Sequence, residues 1–311
     1  MSTSTTPSLR EHALAIVARH QPRFGGHGEL PHQAPAGPFA YGAAWLACKA
    51  LGFIDIDADC LASAWSRRAE RCGRNDLLDW PDEPVDFGFN DPAAQAEGFA
   101  PCPPSLGLYV VAPSADWVGR LARLGVPTVQ LRFKSADPQA VRHEVKAAIE
   151  AVRGTDARLF INDHWQIAVE EGAWGVHLGQ EDLDVADVEP LRRAGIRLGV
   201  STHGYAEMLR AHRVRPSYIA MGAVYPTTLK AMATAPQGIA RLQAYTALML
   251  KLTPPCPLVA IGGIDRDRLP EVLDSGVGSV AVVRAVLAAA DPEAEVRHFM
   301  AALAERPLQG R

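Results

Sequence analysis

From Thr128 onward the chain alternates short β-branched apolar runs with longer stretches whose apolar residues recur at helical spacing. That is the pattern of βα units wound around a parallel sheet. Counting from Leu106, the runs are LGLYVVA, TVQLRF (from Thr128), RLFIN (from Arg158), GVHLG (from Gly175), RLGVS (from Arg197), YIAMGAV (from Tyr218), PLVAIGG (from Pro257) and SVAVV (from Ser279). Amphipathic segments such as DWVGRLARLG, DPQAVRHEVKAAIEAV, HWQIAVEEGAW, DVEPLRRAG, RDRLPEVLDSG and EAEVRHFMAALAER follow them, several closing on Ala-Gly or Ser-Gly as helices do before a turn. Strand-and-helix units repeated eight times from Leu106 to Leu303 predict a TIM (β/α)8 barrel. A doubly wound sheet usually stops at about six strands.

The first hundred residues differ. Ser8 to His20, Phe39 to Leu51 and Ala58 to Cys72 read as helices, the third capped by Asp57, and no strand pattern stands out. The stretch WPDEPVDFGFNDPAAQAEGFAPCPPS, rich in Pro, Gly and acidic residues, reads as a linker. The expected organisation is therefore α/β: a small, mainly helical extension with its linker over 1–104 and a barrel over 105–311.

Composition narrows the class of ligand. With 311 residues, 48% of them hydrophobic, the chain can fill a barrel core, and its formal charge of −4 provides no basic footprint for nucleic acid or an anionic membrane. Small molecules are the expected partners, and a homo-oligomer is compatible with them. The five cysteines form no Cys-x-x-Cys pair, which suggests reduced thiols rather than a disulfide framework or a zinc ribbon. His27, His32 and the nearby cysteines do not fall at metal-ligand spacings. MSTSTTPSLREHALAIVARH lacks the apolar core of a signal peptide, and no apolar run is long enough to span a bilayer, so the expected location is the cytoplasm.

In this fold, functional side chains gather at the C-terminal ends of the strands. The second strand ends in QLRFK, and alternation puts Gln130, Arg132 and Lys134 on the inner side at the mouth. Three donors, two of them cationic, suit a diphosphate; an internal salt-bridge network is the competing reading. The third and fourth strands end in IND and LGQED, so Asp163 and Asp182 sit at neighbouring tips, where they could hold a hard cation such as Mg²⁺ or simply cap the following turns. GVSTH supplies the hydroxyl of Ser201. The loop YPTTLKAMATAPQG carries Thr227, Thr228 and Lys230 and fits either a segment closing over phosphates or a solvated loop. AIGGI and VAVVRAV offer backbone amides at Gly262, Gly263, Val283 and Arg284, where barrels of this kind often bind phosphate.

Taken together, QLRFK, LFINDHWQIA, GVHLGQEDL, LGVSTH, YIAMGAVYPTTLK, APQG, VAIGGI and GVGSVAVV resemble the thiamine phosphate synthase family in its proteobacterial form, in order along nearly the whole barrel. The resemblance implies a transferase that joins 4-amino-2-methyl-5-(diphosphooxymethyl)pyrimidine to hydroxyethylthiazole phosphate or its carboxylate, releasing pyrophosphate. It further implies that Gln130, Arg132, Lys134 and Asn162 hold the pyrimidine diphosphate, that Asp163 and Asp182 hold Mg²⁺, and that Ser201 and Lys230 stabilise the departing pyrophosphate. Thr227 and its neighbours, with the backbone of Gly263, Val283 and Arg284, would hold the thiazole phosphate. Two positions depart from the family pattern. Phe133 replaces a polar or aliphatic residue, and Leu229 stands where a Thr commonly precedes the Lys. Two other functions use the same barrel: a thiazole tautomerase, which has no need of both the Gln-Arg-Lys trio and the paired aspartates, and a non-catalytic thiazole- or thiamine-binding regulator. The N-terminal hundred residues carry no motif that assigns them a role; a remnant of a fused pathway enzyme, or a contact surface for one, is the expectation.

Overall fold

The computed structural model describes residues 7–26, 29–73, 78–89, 97–227 and 234–305. The chain divides into two compact units, Met1–Ala94 and Gln95–Arg311.

The first unit contains helices α1 (Leu9–Phe24), α2 (Phe39–Ala50) and α3 (Asp55–Cys72) and a short 3₁₀ turn, Pro84–Phe87. A capping box opens α1: the Glu11 amide donates to Ser8 Oγ, and the Ser8 amide donates to Glu11 Oε2 at 2.7 Å. The start of α3 departs from the sequence expectation. Ile54 occupies the cap position and Asp57, only 2% exposed, is the third residue of the helix, where its charge faces the positive end of the helix dipole. The stretch expected to be a linker is also packed at its beginning. The Trp80 ring lies 4.3 Å from that of Phe24 and 5.4 Å from that of Trp65, and Asp86 is buried in a bidentate pair with Arg71 at 3.0 and 2.7 Å.

The second unit is a closed, all-parallel barrel in sequence order. Its strands are β1 (Gly107–Ala112), β2 (Thr128–Leu131), β3 (Arg158–Asn162), β4 (Gly175–Leu178), β5 (Arg197–Thr202), β6 (Tyr218–Met221), β7 (Leu258–Ile261) and β8 (Ser279–Val282), with β8 pairing back onto β1. The helices that follow are α4 (Ala115–Arg123), α5 (Pro138–Ala151), α6 (Trp165–Glu170), α7 (Gln180–Val185), α8 (Glu189–Arg193), α9 (Tyr205–Val214), α10 (Gly238–Met249), α11 (Leu269–Asp274), α12 (Arg284–Leu287) and α13 (Pro292–Ala304). All eight strand runs read from the sequence are strands. None of the helices among the described residues is long and apolar enough to cross a membrane.

The barrel interior is filled by Tyr109, Val111, Phe160, Tyr218, Ala220, Val259 and Ala281. Large rings fit because their neighbours are glycines. A Cβ on Gly175 would intrude on the Phe160 ring, and one on Gly199 would intrude on the Tyr218 ring. The foot of the barrel is covered by the chain just before β1. Ser217 Oγ donates to Ala100 O at 2.6 Å, Arg197 Nε to Pro101 O at 3.2 Å and Ser105 Oγ to Gly278 O at 2.5 Å. With one end closed, the opposite mouth is where a ligand can enter.

Candidate active site

At the mouth, β2, β3, β4 and β5 deliver their terminal residues to one place. Gln130 is the third residue of β2 and is buried inward, its Nε2 donating to Tyr109 Oη at 3.0 Å. The strand then ends, so Arg132 and Lys134 lie just beyond it. The Arg132 amide still donates to Ala112 O at 2.8 Å, its side chain is half-buried, and Lys134 is exposed. Neither side chain forms an ion pair among the described residues.

Asn162 closes β3 in register with His177 of β4 and is 9% exposed. The next residue, Asp163, adopts a left-handed backbone (φ 63°), which Asp tolerates better than most residues. Its amide donates to His177 O at 3.1 Å, and its carbonyl accepts from Trp165 N at 2.8 Å. Asp182, in the first turn of α7, accepts from the Gly179 amide at 2.9 Å. It therefore caps its turn, as one reading of the sequence allowed, and it also stands beside Asp163.

The electrostatics of Asp163 report this gathering. Burial pushes its carboxyl above the usual range, the neighbouring Asp182 pushes it further, and Lys134 and Arg132 pull it back. Two carboxylates and two cations from three strand ends are thus within electrostatic reach of one another. Among the described residues no cluster of three or more His, Cys, Asp or Glu is arranged to hold a metal ion.

Ser201, on β5, is half-buried, and its Oγ lies 2.7 Å from His177 Nε2. Its carbonyl accepts from Gln180 Nε2 at 2.7 Å. His203 is held by Glu207 through both its amide, at 2.8 Å, and its Nδ1, at 2.7 Å. Across the mouth, the turns after β6 and β7 pack on each other: Val224 N donates to Ile261 O, and Tyr225 N to Gly262 O, both at 2.9 Å. Gly263 has φ 66°, and a Cβ there would stand 2.7 Å from Pro226 O, so only glycine lets these turns approach. Val283 is half-buried and Arg284 exposed at the start of α12. Thr227 is half-buried, while Thr228, Leu229 and Lys230 lie outside the described residues.

The sequence reading missed His177, Tyr109 and Tyr218, which line the interior below the mouth, and Gln180, which holds the Ser201 carbonyl. The available signal was parity: Gly175, His177 and Gly179 share one side of β4, just as Gly199 and Ser201 share one side of β5.

A parallel eight-stranded barrel with Arg132, Lys134, Asp163 and Asp182 gathered at its mouth has the architecture of a TIM-barrel enzyme. The family model TMP-TENI, thiamine monophosphate synthase, matches residues 108–286. The thiamine-phosphate synthase of Neisseria meningitidis serogroup B is 51% identical over 203 residues, 65% of this chain and 97% of that protein. That of Yersinia pestis is 52% identical over 194 residues, 62% of this chain and 88% of that protein. Among solved structures, the thiamine phosphate pyrophosphorylase from Pyrococcus furiosus superposes with a TM-score of 0.57 at 28% identity, covering 66% of this chain and 98% of that one. The chain belongs to the thiamine monophosphate synthase family. It is an enzyme, a transferase of thiamine phosphate synthesis. The residues that the family model matches lie within the second unit.

Proposed function

We propose that the mouth of the barrel joins 4-amino-2-methyl-5-(diphosphooxymethyl)pyrimidine to hydroxyethylthiazole phosphate, or to its carboxylate, giving thiamine phosphate and pyrophosphate. The observation that carries this reading is Asp163, which feels Asp182, Lys134 and Arg132 together at the end of three strands.

Gln130, Arg132, Lys134 and Asn162 bind the diphosphate in this scheme. Among the described residues neither Arg132 nor Lys134 forms an ion pair, so their charge is available to an incoming anion. Asp163 and Asp182 would hold Mg²⁺. The fit rests on the donor set: of two adjacent carboxylates, one is raised above the usual range by burial and by its neighbour's charge, which a cation would relieve, and a pair of carboxylates completed by phosphate oxygens suits Mg²⁺ better than Ca²⁺. When bound, Mg²⁺ supplies charge neutralisation for phosphate oxygens.

The chemistry needs no general base. The bond between the pyrimidine methylene and the diphosphate oxygen breaks, its electron pair leaves with pyrophosphate, and the aminopyrimidine ring spreads the resulting positive charge. The thiazole nitrogen then donates its lone pair to the methylene carbon. Arg132, Lys134, Ser201 and Lys230 act on the negative charge that grows on pyrophosphate, where preorganised donors contribute most. Thr227, Thr228 and the backbone amides at Gly263, Val283 and Arg284 would fix the thiazole phosphate, so that the nitrogen faces the methylene carbon. Because both substrates are multiply charged phosphate esters that do not cross bilayers unaided, the reaction is proposed to run in the cytoplasm.

The test is to incubate the purified full chain with both phosphorylated substrates and Mg²⁺ and to follow thiamine phosphate by mass spectrometry. Product should form only when all three are present. Isomerisation of the thiazole carboxylate without the pyrimidine would point instead to a tautomerase.

A further inference from the structure

Between Gln130 and Ser201 the barrel interior holds three polar groups, Tyr109, Tyr218 and His177, that the roles above leave unused. Gln130 Nε2 donates to Tyr109 Oη at 3.0 Å, Tyr109 Oη is 2.8 Å from Tyr218 Oη, Tyr218 Oη is 2.6 Å from His177 Nδ1, and His177 Nε2 is 2.7 Å from Ser201 Oγ. The row crosses the barrel from β2 to β5 and ends on two residues of the mouth. Phenylalanines at 109 and 218 would fill the same space, since the rings already pack on Phe160 and on the His177 imidazole, so the hydroxyls are not needed for volume.

Both tyrosines are fully buried, and burial pushes both phenols well above their ordinary value, so each keeps its single proton. A hydroxyl with one proton donates once, and a row of such groups therefore has a direction. With Gln130 donating, Tyr109 donates to Tyr218, Tyr218 donates to Nδ1 of His177, and the imidazole carries its proton on Nε2 and donates to Ser201. Ser201 Oγ then accepts from behind, and its own hydrogen is left to face the mouth. If the row ran the other way, Ser201 would donate to His177 and turn its lone pairs toward the anion, which is repulsive.

We infer that Tyr218 and His177 are positioning residues that make Ser201 a hydrogen-bond donor toward the departing pyrophosphate, through a one-way chain that starts at Gln130. This rests on the role given to Ser201 above. Two readouts test it in the full chain. In ¹⁵N-histidine NMR of the resting protein, with the resonance assigned by comparison with His177→Gln, His177 should carry its proton on Nε2 in the wild type and show a mixture of tautomers in Tyr218→Phe. A wild-type His177 protonated on Nδ1 overturns the inference.

In steady-state assays Tyr218→Phe should lower kcat about tenfold while the KM for thiazole phosphate stays within about twofold. Combined with Ser201→Ala, it should add no further loss. An unchanged kcat in Tyr218→Phe, or losses that multiply in the double variant, contradicts the chain. Should Tyr218→Phe fold poorly, His177→Gln, which keeps a donor near the Nε2 position, should retain several-fold more activity than His177→Leu, and equal activities contradict the chain. A wild-type protein that makes no thiamine phosphate would overturn the proposed reaction instead, while the tautomer measurement would still judge the chain.

Discussion

The two ends of the barrel both carry arginines at strand boundaries, and they treat them differently. At the foot, the Arg197 guanidinium lies 4.3 Å over the Trp174 ring and Nε donates to Pro101 O, while the Arg158 guanidinium reaches Pro127 O at 3.5 Å. Nearby, burial pushes the Cys102 thiol up to about 12, even though both arginines pull it down. At the mouth, among the described residues, Arg132 and Lys134 have neither a ring contact nor an ion pair, only the longer-range field of Asp163. A cation whose donors are already used closes a barrel, and a cation whose donors are free can hold an anion. The residue type alone does not separate the two roles; what surrounds each guanidinium does.

The largest expected effect lies at the mouth. Arg132→Ala should cut kcat by about a hundredfold or more, because pyrophosphate charge goes unopposed, with a melting temperature close to wild type; steady-state kinetics and calorimetry read both. Activity near wild type would make Arg132 equivalent to a foot arginine and erase the contrast. The core between the two ends should behave as packing. Gly199→Ala would force the Tyr218 ring aside and should cost several kcal/mol, about 3, read as a lowered denaturation midpoint.

At the foot, Arg197→Ala should lower stability by about 1–2 kcal/mol through the lost Trp174 and Pro101 contacts, while kcat/KM stays within about twofold. A large kinetic loss there would mean that the foot also takes part in catalysis.

The smallest effect concerns stability at the mouth. Asp163→Asn keeps the left-handed turn, since Asn tolerates it too, but removes a charge that the fold disfavours. Because the folded carboxyl titrates above its usual value, wild-type Asp163 costs no stability below the ordinary carboxylate range, and the cost develops as pH rises through the raised value. Without metal, Asp163→Asn should therefore be slightly more stable than wild type at pH 7, and the gain should vanish in the ordinary carboxylate range. With Mg²⁺ present the order should reverse, and turnover in the variant should be mostly lost.

Much of this was legible in the chain because β-branched runs and helical spacing are local signals. All eight strands, and the placing of Gln130, Asp163 and Ser201 at or just past strand ends, followed from period and parity, while Asp182 lies in the first turn of α7. The start of α3 was misread because Asp55, Asp57 and Asp59 offer several acids near one helix start, and packing, which buries Asp57, decides among them. The Pro-rich stretch looked like an uninterrupted linker, yet Trp80 and Asp86 are core residues of the first unit, and Ala100 to Ser105 covers the barrel foot. Those contacts join residues far apart in sequence, which composition does not register. The Tyr109–Tyr218–His177 row was invisible for the same reason, since it needs three strands at once.

In the proposed reaction the mouth, not the foot, receives the expelled anion. The most direct measurement is a crystal structure of the full chain grown with pyrophosphate and Mn²⁺ in place of Mg²⁺, located by anomalous scattering. The account predicts a manganese peak shared by Asp163 and Asp182 with pyrophosphate against Arg132 and Lys134. Pyrophosphate bound elsewhere, or manganese away from both aspartates, would contradict it.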